Sequence, residues 1–405
     1  MKCHPERSRR IISRIAQKLF LIAAIVIAVT SCTPKKEADW TILIYMAADN
    51  GLNNAALADI EEMLAADFSD DIKVIVQIDE SEYAENSSAK RYRIRSGSKS
   101  QISNLGEIDS GDPATLTQFA NWGFDKYPSD KKALVIWSHG NGWYPKNRVL
   151  PPSFCPDEES GNFISIADKE FKNAIKNING NLDILILDAC NMQTMEVIAE
   201  IYDYTDYIIA SEDAVCDDGY PYHTILTHWE DHAEVKHLAE NIAFDFHYYY
   251  WFEGIYPISC SVVETSMFSP LLVDLSDFTQ IWADSANNEI FLTSREQCIE
   301  FNGSFVSIPA DVDIKEFFSL VLENDPPDSL VLMCNTIIED IDNCFIFQKT
   351  EIYPTGYTTD KVGSAIIWFP DEETSFYFED RKDEYLQLDF AETGWPQFLQ
   401  NTFTN

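Results

Sequence analysis

Five apolar runs of strand length, separated by stretches with helical spacing, restrict this chain more than any other feature of its sequence. Residues 40–47, 72–78, 133–138, 182–187 and 207–210 are rich in Val, Ile, Leu and Tyr and contain few polar residues. A strand wetted on one face alternates apolar with polar, so these runs read as strands covered on both faces. Between them, 53–66 carries Leu57, Ile60 and Leu64 at helical spacing, and 114–122 opens after Pro113, a residue suited to a first helical turn. Residues 166–178 and 192–202 also fit helices. Doubly covered strands alternating with helices predict an α/β fold, a doubly wound and mostly parallel sheet flanked by helices. In such sheets, sites form at the carboxyl ends of the strands.

After about residue 254 the pattern changes. Strands are expected at 257–264, 345–350 and 363–369, helices at 271–286 and 314–322, and a turn at the Asp-Pro-Pro-Asp of 325–328. The 405 residues exceed one core of ordinary size. The expected organisation is therefore an α/β domain over 40–254 and a C-terminal α+β domain over 255–405.

The N-terminus reads as a leader. Lys2, Arg7, Arg9, Arg10, Arg14 and Lys18 precede the apolar run 19–29, which is too short to span a bilayer comfortably. The ending Val29-Thr30-Ser31-Cys32 resembles a bacterial lipobox, and Thr33-Pro34-Lys35-Lys36 follows as a polar tether. Residues 1–31 are thus expected to be a signal peptide, Cys32 a lipidated residue and 32–39 a tether. That combination predicts a membrane-anchored lipoprotein of the bacterial cell envelope, periplasmic or surface-exposed. The net charge of −38 disfavours nucleic acid and favours cationic peptides, although it also serves solubility. Beyond Cys3 and Cys32, seven cysteines remain, an odd number that leaves a free thiol in any exported form. No CxxC pair is present, which disfavours zinc-knuckle and thioredoxin chemistry.

Two strand ends carry complementary chemistry. The run 133–138 delivers His139 onto a loop with Gly140 and Gly142, whose backbones can approach a ligand. The run 182–187 leads into Asp188-Ala189-Cys190 before a helical stretch, where a helix dipole would favour the thiolate. A histidine beside a cysteine can take its proton and later protonate a leaving amine. Either residue alone has an ordinary reading, as a core thiol or a loop histidine. The spacing of about 50 residues matches that between the histidine and cysteine of caspases, but the caspase cysteine motif is absent.

The sequence resembles the clostripain family of cysteine peptidases. The motifs are Trp40-Thr-Ile-Leu-Ile-Tyr-Met-Ala-Ala-Asp49-Asn50, Ser138-His-Gly-Asn-Gly-Trp143, Leu187-Asp-Ala-Cys-Asn-Met192 and Gly363-Ser-Ala-Ile-Ile-Trp-Phe-Pro370. The resemblance implies a caspase-like fold and a lipid-anchored cysteine endopeptidase with a Cys190/His139 dyad. It also implies an oxyanion hole of the Gly140 and Cys190 amides, and cleavage after Arg or Lys. A basic side chain needs a carboxylate in its pocket. The candidates are Asp188 and the acidic loop 211–220, with Asp218 favoured and Asp188 near it. Cys216 in that loop and Asn191 beside the nucleophile depart from the family pattern. Cleavage between His139 and Cys190 activates some members, and Lys146, Arg148, Lys169, Lys172 and Lys176 lie in that stretch. The family's namesake uses calcium, but no EF-hand-type loop occurs here. No cofactor and no metal ligand set is expected from the residues themselves.

Other features rank lower. His228 and His232 form an i, i+4 pair on an expected helix, a weak metal signal. The aromatic run 246–252 reads as core or interface. No GxSxG, GxGxxG or P-loop is present. The alternative to an enzyme is a catalytically silent peptide-binding or surface-interaction lipoprotein with the same fold.

Overall fold

The apolar runs form the centre of a nine-stranded sheet ordered β10-β8-β7-β6-β5-β1-β2-β3-β4. Its strands are β1 (Ala38–Ala48), β2 (Ile72–Glu80), β3 (Ala89–Arg95), β4 (Ser98–Gly106), β5 (Ser129–Trp137), β6 (Leu182–Asp188), β7 (Thr205–Ala210), β8 (Ile258–Glu264) and β10 (Phe345–Glu351). The computed structural model describes residues 38–405 except 82–86, 145–153, 231, 283–286, 302–309, 352–361, 371–375 and 405. The leader, Cys32, Lys146 and Arg148 lie outside the described residues.

The five central strands β7, β6, β5, β1 and β2 are mutually parallel. All eleven residues of β1 are buried. Its alternate residues feed two separate cores: Leu43, Tyr45 and Ala47 on one face, Ile42, Ile44 and Met46 on the other. Two-sided burial is why these runs lack polar alternation. Helices Pro113–Lys126, Glu170–Lys176 and Met195–Ile201 contribute to the first core, and Asn53–Ala65, Tyr222–Thr227 and Val235–Glu253 to the second. The helix at 113 starts as expected: Pro113 opens the first turn and the Asp112 carboxylate accepts from the Ala114 amide at 2.8 Å.

The sheet continues through the boundary expected near residue 254. β8 pairs antiparallel with β7, and β10 pairs antiparallel with β8. Residues 38–405 accordingly form one compact unit. A separate pair, β9 (Asp311–Asp313) with β11 (Ile366–Trp368), lies against the segment after β6, where the Ile366 amide donates to the Gln193 carbonyl at 3.0 Å. At the opposite edge the last strand β4 is mostly exposed and carries Lys99, beside the basic β3 with Lys90, Arg91, Arg93 and Arg95.

Candidate functional site

The register of β5 and β6 sets the site. Trp137 pairs with Asp188, the last residue of each strand. His139 and Cys190 each follow two positions later, so neighbouring parallel strands release them side by side at their carboxyl ends. Both line one cleft of about 110 Å³ free volume, with Trp137, Asp188, Cys216, Asp217 and Gly219.

Gly140 is why the two loops can close together. A Cβ at this position would lie 2.5 Å from the Cys190 carbonyl oxygen and 2.9 Å from the Ala189 Cβ. Gly140→Ala therefore forces the histidine and cysteine loops apart, an overpacking cost of about 1–3 kcal/mol. A urea melt should show that loss, together with a changed rate of Cys190 alkylation. An unchanged melt and rate would mean the loops yield freely. Among the described residues, neither the Gly140 nor the Cys190 amide donates a hydrogen bond, so both remain available to a ligand.

The cysteine is not at a helix start as the sequence suggested. Asn191 adopts a left-handed conformation, φ 56°, which asparagine tolerates better than most residues. Its backbone N–H donates to the Asp213 carbonyl at 3.1 Å and its side chain to the Glu212 carbonyl at 2.7 Å. Asn191 is thus a turn residue. The helix begins only at Met195, capped by Thr194, too far for its dipole to act strongly on Cys190. The sulfur instead accepts from the Val215 N–H at 3.3 Å. Burial, followed by the nearby Asp188, Asp213 and Asp217, pushes the Cys190 thiol up to about 11, with the Val215 N–H offsetting in part. Burial lowers the His139 imidazole, with Asp217 opposing. Near neutral pH the pair is a neutral thiol beside a neutral imidazole.

The floor of the cleft is acidic, and Asp188, one of the two carboxylates expected from sequence, lines it. Asp188 is buried, and its Oδ2 accepts from the Tyr222 hydroxyl at 2.8 Å and the Tyr220 N–H at 3.3 Å. Asp217 and Asp218 are both exposed; Asp217 lines the cleft, and Asp218, not among the lining residues, adds its charge to the causes that raise Asp59. The sequence reading missed Asp59. This buried carboxylate accepts from the Trp137 indole N–H at 2.7 Å, behind the cleft wall. A Cβ on Gly219 would sit 3.2 Å from both an Asp188 and an Asp59 oxygen, so the two acids converge beneath that glycine. The available signal was Asp59's place on the buried stripe of its helix, with Ala56, Ile60 and Met63. The stripe expected from sequence included Leu57, which is exposed.

Burial, then Asp188, pushes Asp59 up to about 9, and burial pushes Asp188 up to about 7. Both values exceed the unfolded carboxylate value of about 3.9. The folded chain therefore binds more protons, and these groups stabilise it less as pH rises from about 4 through about 9. The melting temperature should fall between about pH 5.5 and 9, and less steeply in Asp59→Asn. An equal slope in the variant would remove Asp59 from this account.

The remaining sequence candidates separate. Helix Tyr222–Thr227 ends before His228; His228 Nδ1 lies 2.9 Å from Asp245, and His232 Nδ1 lies 3.8 Å from Asp39. The two histidines therefore do not share a helix face. The aromatic run divides: Phe246 and Tyr250 are buried, and Tyr250 donates to the Gly219 carbonyl, while Tyr248, Trp251 and Phe252 are exposed. Trp143, after the histidine loop, packs at 5.0 Å on Trp368 of β11, which ties the late motif to the site.

Residues 44–401 match the model of the clostripain family. Clostripain from Hathewaya histolytica is 28% identical over 219 residues, which cover 46% of this chain and 41% of that protein. The match thus spans less than half the length of this curated relative. An inactive zymogen C11 protease from Parabacteroides distasonis superposes with a TM-score of 0.67 at 23% identity, covering 88% of this chain and 98% of the other. A secreted C11 cysteine protease from Bacteroides thetaiotaomicron, in complex with an irreversible peptide inhibitor, gives 0.66 at 20% identity, covering 88% and 99%. These superpositions establish the caspase-like fold, a mostly parallel sheet flanked by helices. With nearly all of its described residues inside the family match, the chain belongs to the clostripain family.

Proposed function

We propose that this chain is a cysteine endopeptidase that uses Cys190 as nucleophile and His139 as general base, and cuts after a basic residue. The observation that carries the reading is the β5–β6 register, which releases His139 and Cys190 together above buried Asp188. His139 takes the thiol proton as Cys190 Sγ attacks the scissile carbonyl carbon. The Gly140 and Cys190 N–H groups face the developing oxyanion, each such donor contributing on the order of 3 kcal/mol in comparable enzymes. His139 then protonates the leaving amine, leaving a thioester on Cys190. Water, deprotonated by His139, attacks that thioester, releasing the acid product and restoring the thiol. The incoming Arg or Lys side chain reaches toward Asp188, whose ionised form it stabilises, with Asp59 behind Trp137 as a second acid.

The N-terminal sequence supports a lipid-anchored form held by Cys32 at the bacterial envelope, since a basic head, a short apolar run and that cysteine follow in order. Among the described residues no helix is long and apolar enough to cross a membrane. A peptidyl acyloxymethyl ketone ending in lysine tests the site directly. Peptide mass mapping should find the label on Cys190, and the same reagent ending in leucine should label far more slowly. Labelling of Cys216 in place of Cys190 would overturn the assignment.

A further inference from the structure

Two thiols open into the cleft. All seven described cysteines are free, and Cys155, Cys260, Cys298, Cys334 and Cys344 are buried. Among the described residues Cys190 and Cys216 are the two partly exposed thiols, and both line the same cleft. Their segments touch. Cys190 Sγ accepts from the Val215 N–H at 3.3 Å and donates to the Val215 carbonyl at 3.6 Å. That carbonyl belongs to the peptide group joining Val215 to Cys216, so peptide dimensions place the Cys216 Cα within about 6–7 Å of the Cys190 sulfur. A small shift of the loop brings the two sulfurs into bonding range. The loop is also fastened on both sides of Cys216. The Asn191 N–H donates to the Asp213 carbonyl at 3.1 Å, the Gly219 N–H donates to the Cys216 carbonyl at 2.8 Å, and the Tyr250 hydroxyl donates to the Gly219 carbonyl. Peptide hydrolysis as proposed above has no use for Cys216.

We propose that Cys216 is a resolving thiol: a hydroperoxide oxidises Cys190, and Cys216 captures it as a reversible Cys190–Cys216 disulfide that silences the cleft. The silencing rests on Cys190 being the nucleophile, whereas the bond itself requires only the two thiols. His139 takes the Cys190 proton, and the sulfur attacks one peroxide oxygen. The O–O bond breaks; that oxygen stays on Cys190 as a sulfenic acid, and the other leaves with the proton from His139 as an alcohol, or as water from hydrogen peroxide. His139, neutral again, takes the Cys216 proton as that sulfur attacks the sulfenic sulfur. The S–O bond breaks and the departing hydroxide leaves as water with that proton. Two thiols thus lose two electrons, which the peroxide takes up. A dithiol reductant reverses the bond by exchange and is itself oxidised to a disulfide. The acids around the cleft keep both sulfurs protonated: burial, then Asp218, Asp217 and Asp213, raises the Cys216 thiol as burial and acids raise Cys190. His139 is therefore the base on which both steps depend. Capture by Cys216 keeps Cys190 from the sulfinic and sulfonic acids, which thiol reductants do not restore.

The test treats the full chain with hydrogen peroxide, then digests it at acidic residues without reductant and maps the fragments by mass. Glu196 and Glu200 lie between the two cysteines, so a bond between them joins two separate fragments. Wild type should yield joined Cys190 and Cys216 fragments, and dithiothreitol should separate them and restore peptide hydrolysis in step. Cys216→Ser, oxidised and then reduced, should regain about tenfold less of its own untreated activity, with Cys190 found as sulfinic acid. The mapping of wild type needs no variant, so it decides the bond even if Cys216→Ser folds poorly. Joined fragments with undiminished hydrolysis would uphold the bond and reject Cys190 as the nucleophile. Cys190 found as sulfinic or sulfonic acid in wild type, with no joined fragments, would overturn the bond. Equal recovery of wild type and Cys216→Ser would overturn the resolving role.

Discussion

Replacing Cys190 with alanine lowers peptide cleavage by about 10,000-fold or more while shifting the melting temperature by no more than about 4 °C. The activity loss follows from the chemistry. No other described thiol occupies the position after β6, and a methyl group cannot form the thioester. The mild structural effect follows from the surroundings. Cys190 is half-buried, and among the described residues its sulfur hydrogen-bonds only to the Val215 backbone. Alanine leaves the Gly140 approach intact, because that approach involves the Cys190 carbonyl and not its side chain. The measurement is hydrolysis of fluorogenic peptides, with calorimetric melting of the same preparation. Activity within about tenfold of wild type would remove Cys190 from the chemistry. Lost activity with a collapsed melting transition would leave the nucleophile assignment unsupported by this variant, and Cys190→Ser, which keeps the size, would then decide it by activity in a folded protein.

The parts of this fold that could be read from sequence are those where one force dominates. β1, β2 and β5–β7 are buried on both faces, so hydrophobic burial alone writes their pattern. β3 and β4 sit at an edge, half-wetted and rich in Lys and Arg, and their pattern resembles a loop. Helix Val235–Glu253 escaped notice because seven consecutive residues of mostly aromatic character hide its 3.6-residue period, although Phe246 and Tyr250 face inward and Tyr248 and Phe252 outward. His139 and Cys190 stand out in the sequence because each lies two positions past the end of a buried strand. Asp59 does not, because only the pairing of Trp137 with Asp188 brings a helix from the start of the domain behind the cleft.

Asp188→Asn should lower kcat/KM on arginine and lysine substrates by about 100- to 1,000-fold and leave neutral substrates nearly unchanged. Removing one partner of a buried ion pair costs about 3–5 kcal/mol, and each 1.4 kcal/mol is a factor of ten. The lower end is expected here because Asp59 remains behind Trp137 as a second acid. Asparagine keeps an acceptor for the Tyr222 hydroxyl and the Tyr220 N–H, so the fold should hold. The pH profile separates this role from a merely structural one. In the empty site Asp188 sits near 7, so a cationic side chain must displace its proton, and kcat/KM on basic substrates rises with pH through about 7. His139, lowered by burial, becomes neutral below its ordinary value of about 6.5, so its own limb lies at lower pH. The limb near 7 should vanish in Asp188→Asn while the histidine limb stays. Equal losses on basic and neutral substrates, with both limbs unchanged, would make Asp188 a structural acid and move the specificity to Asp217 at the mouth of the cleft.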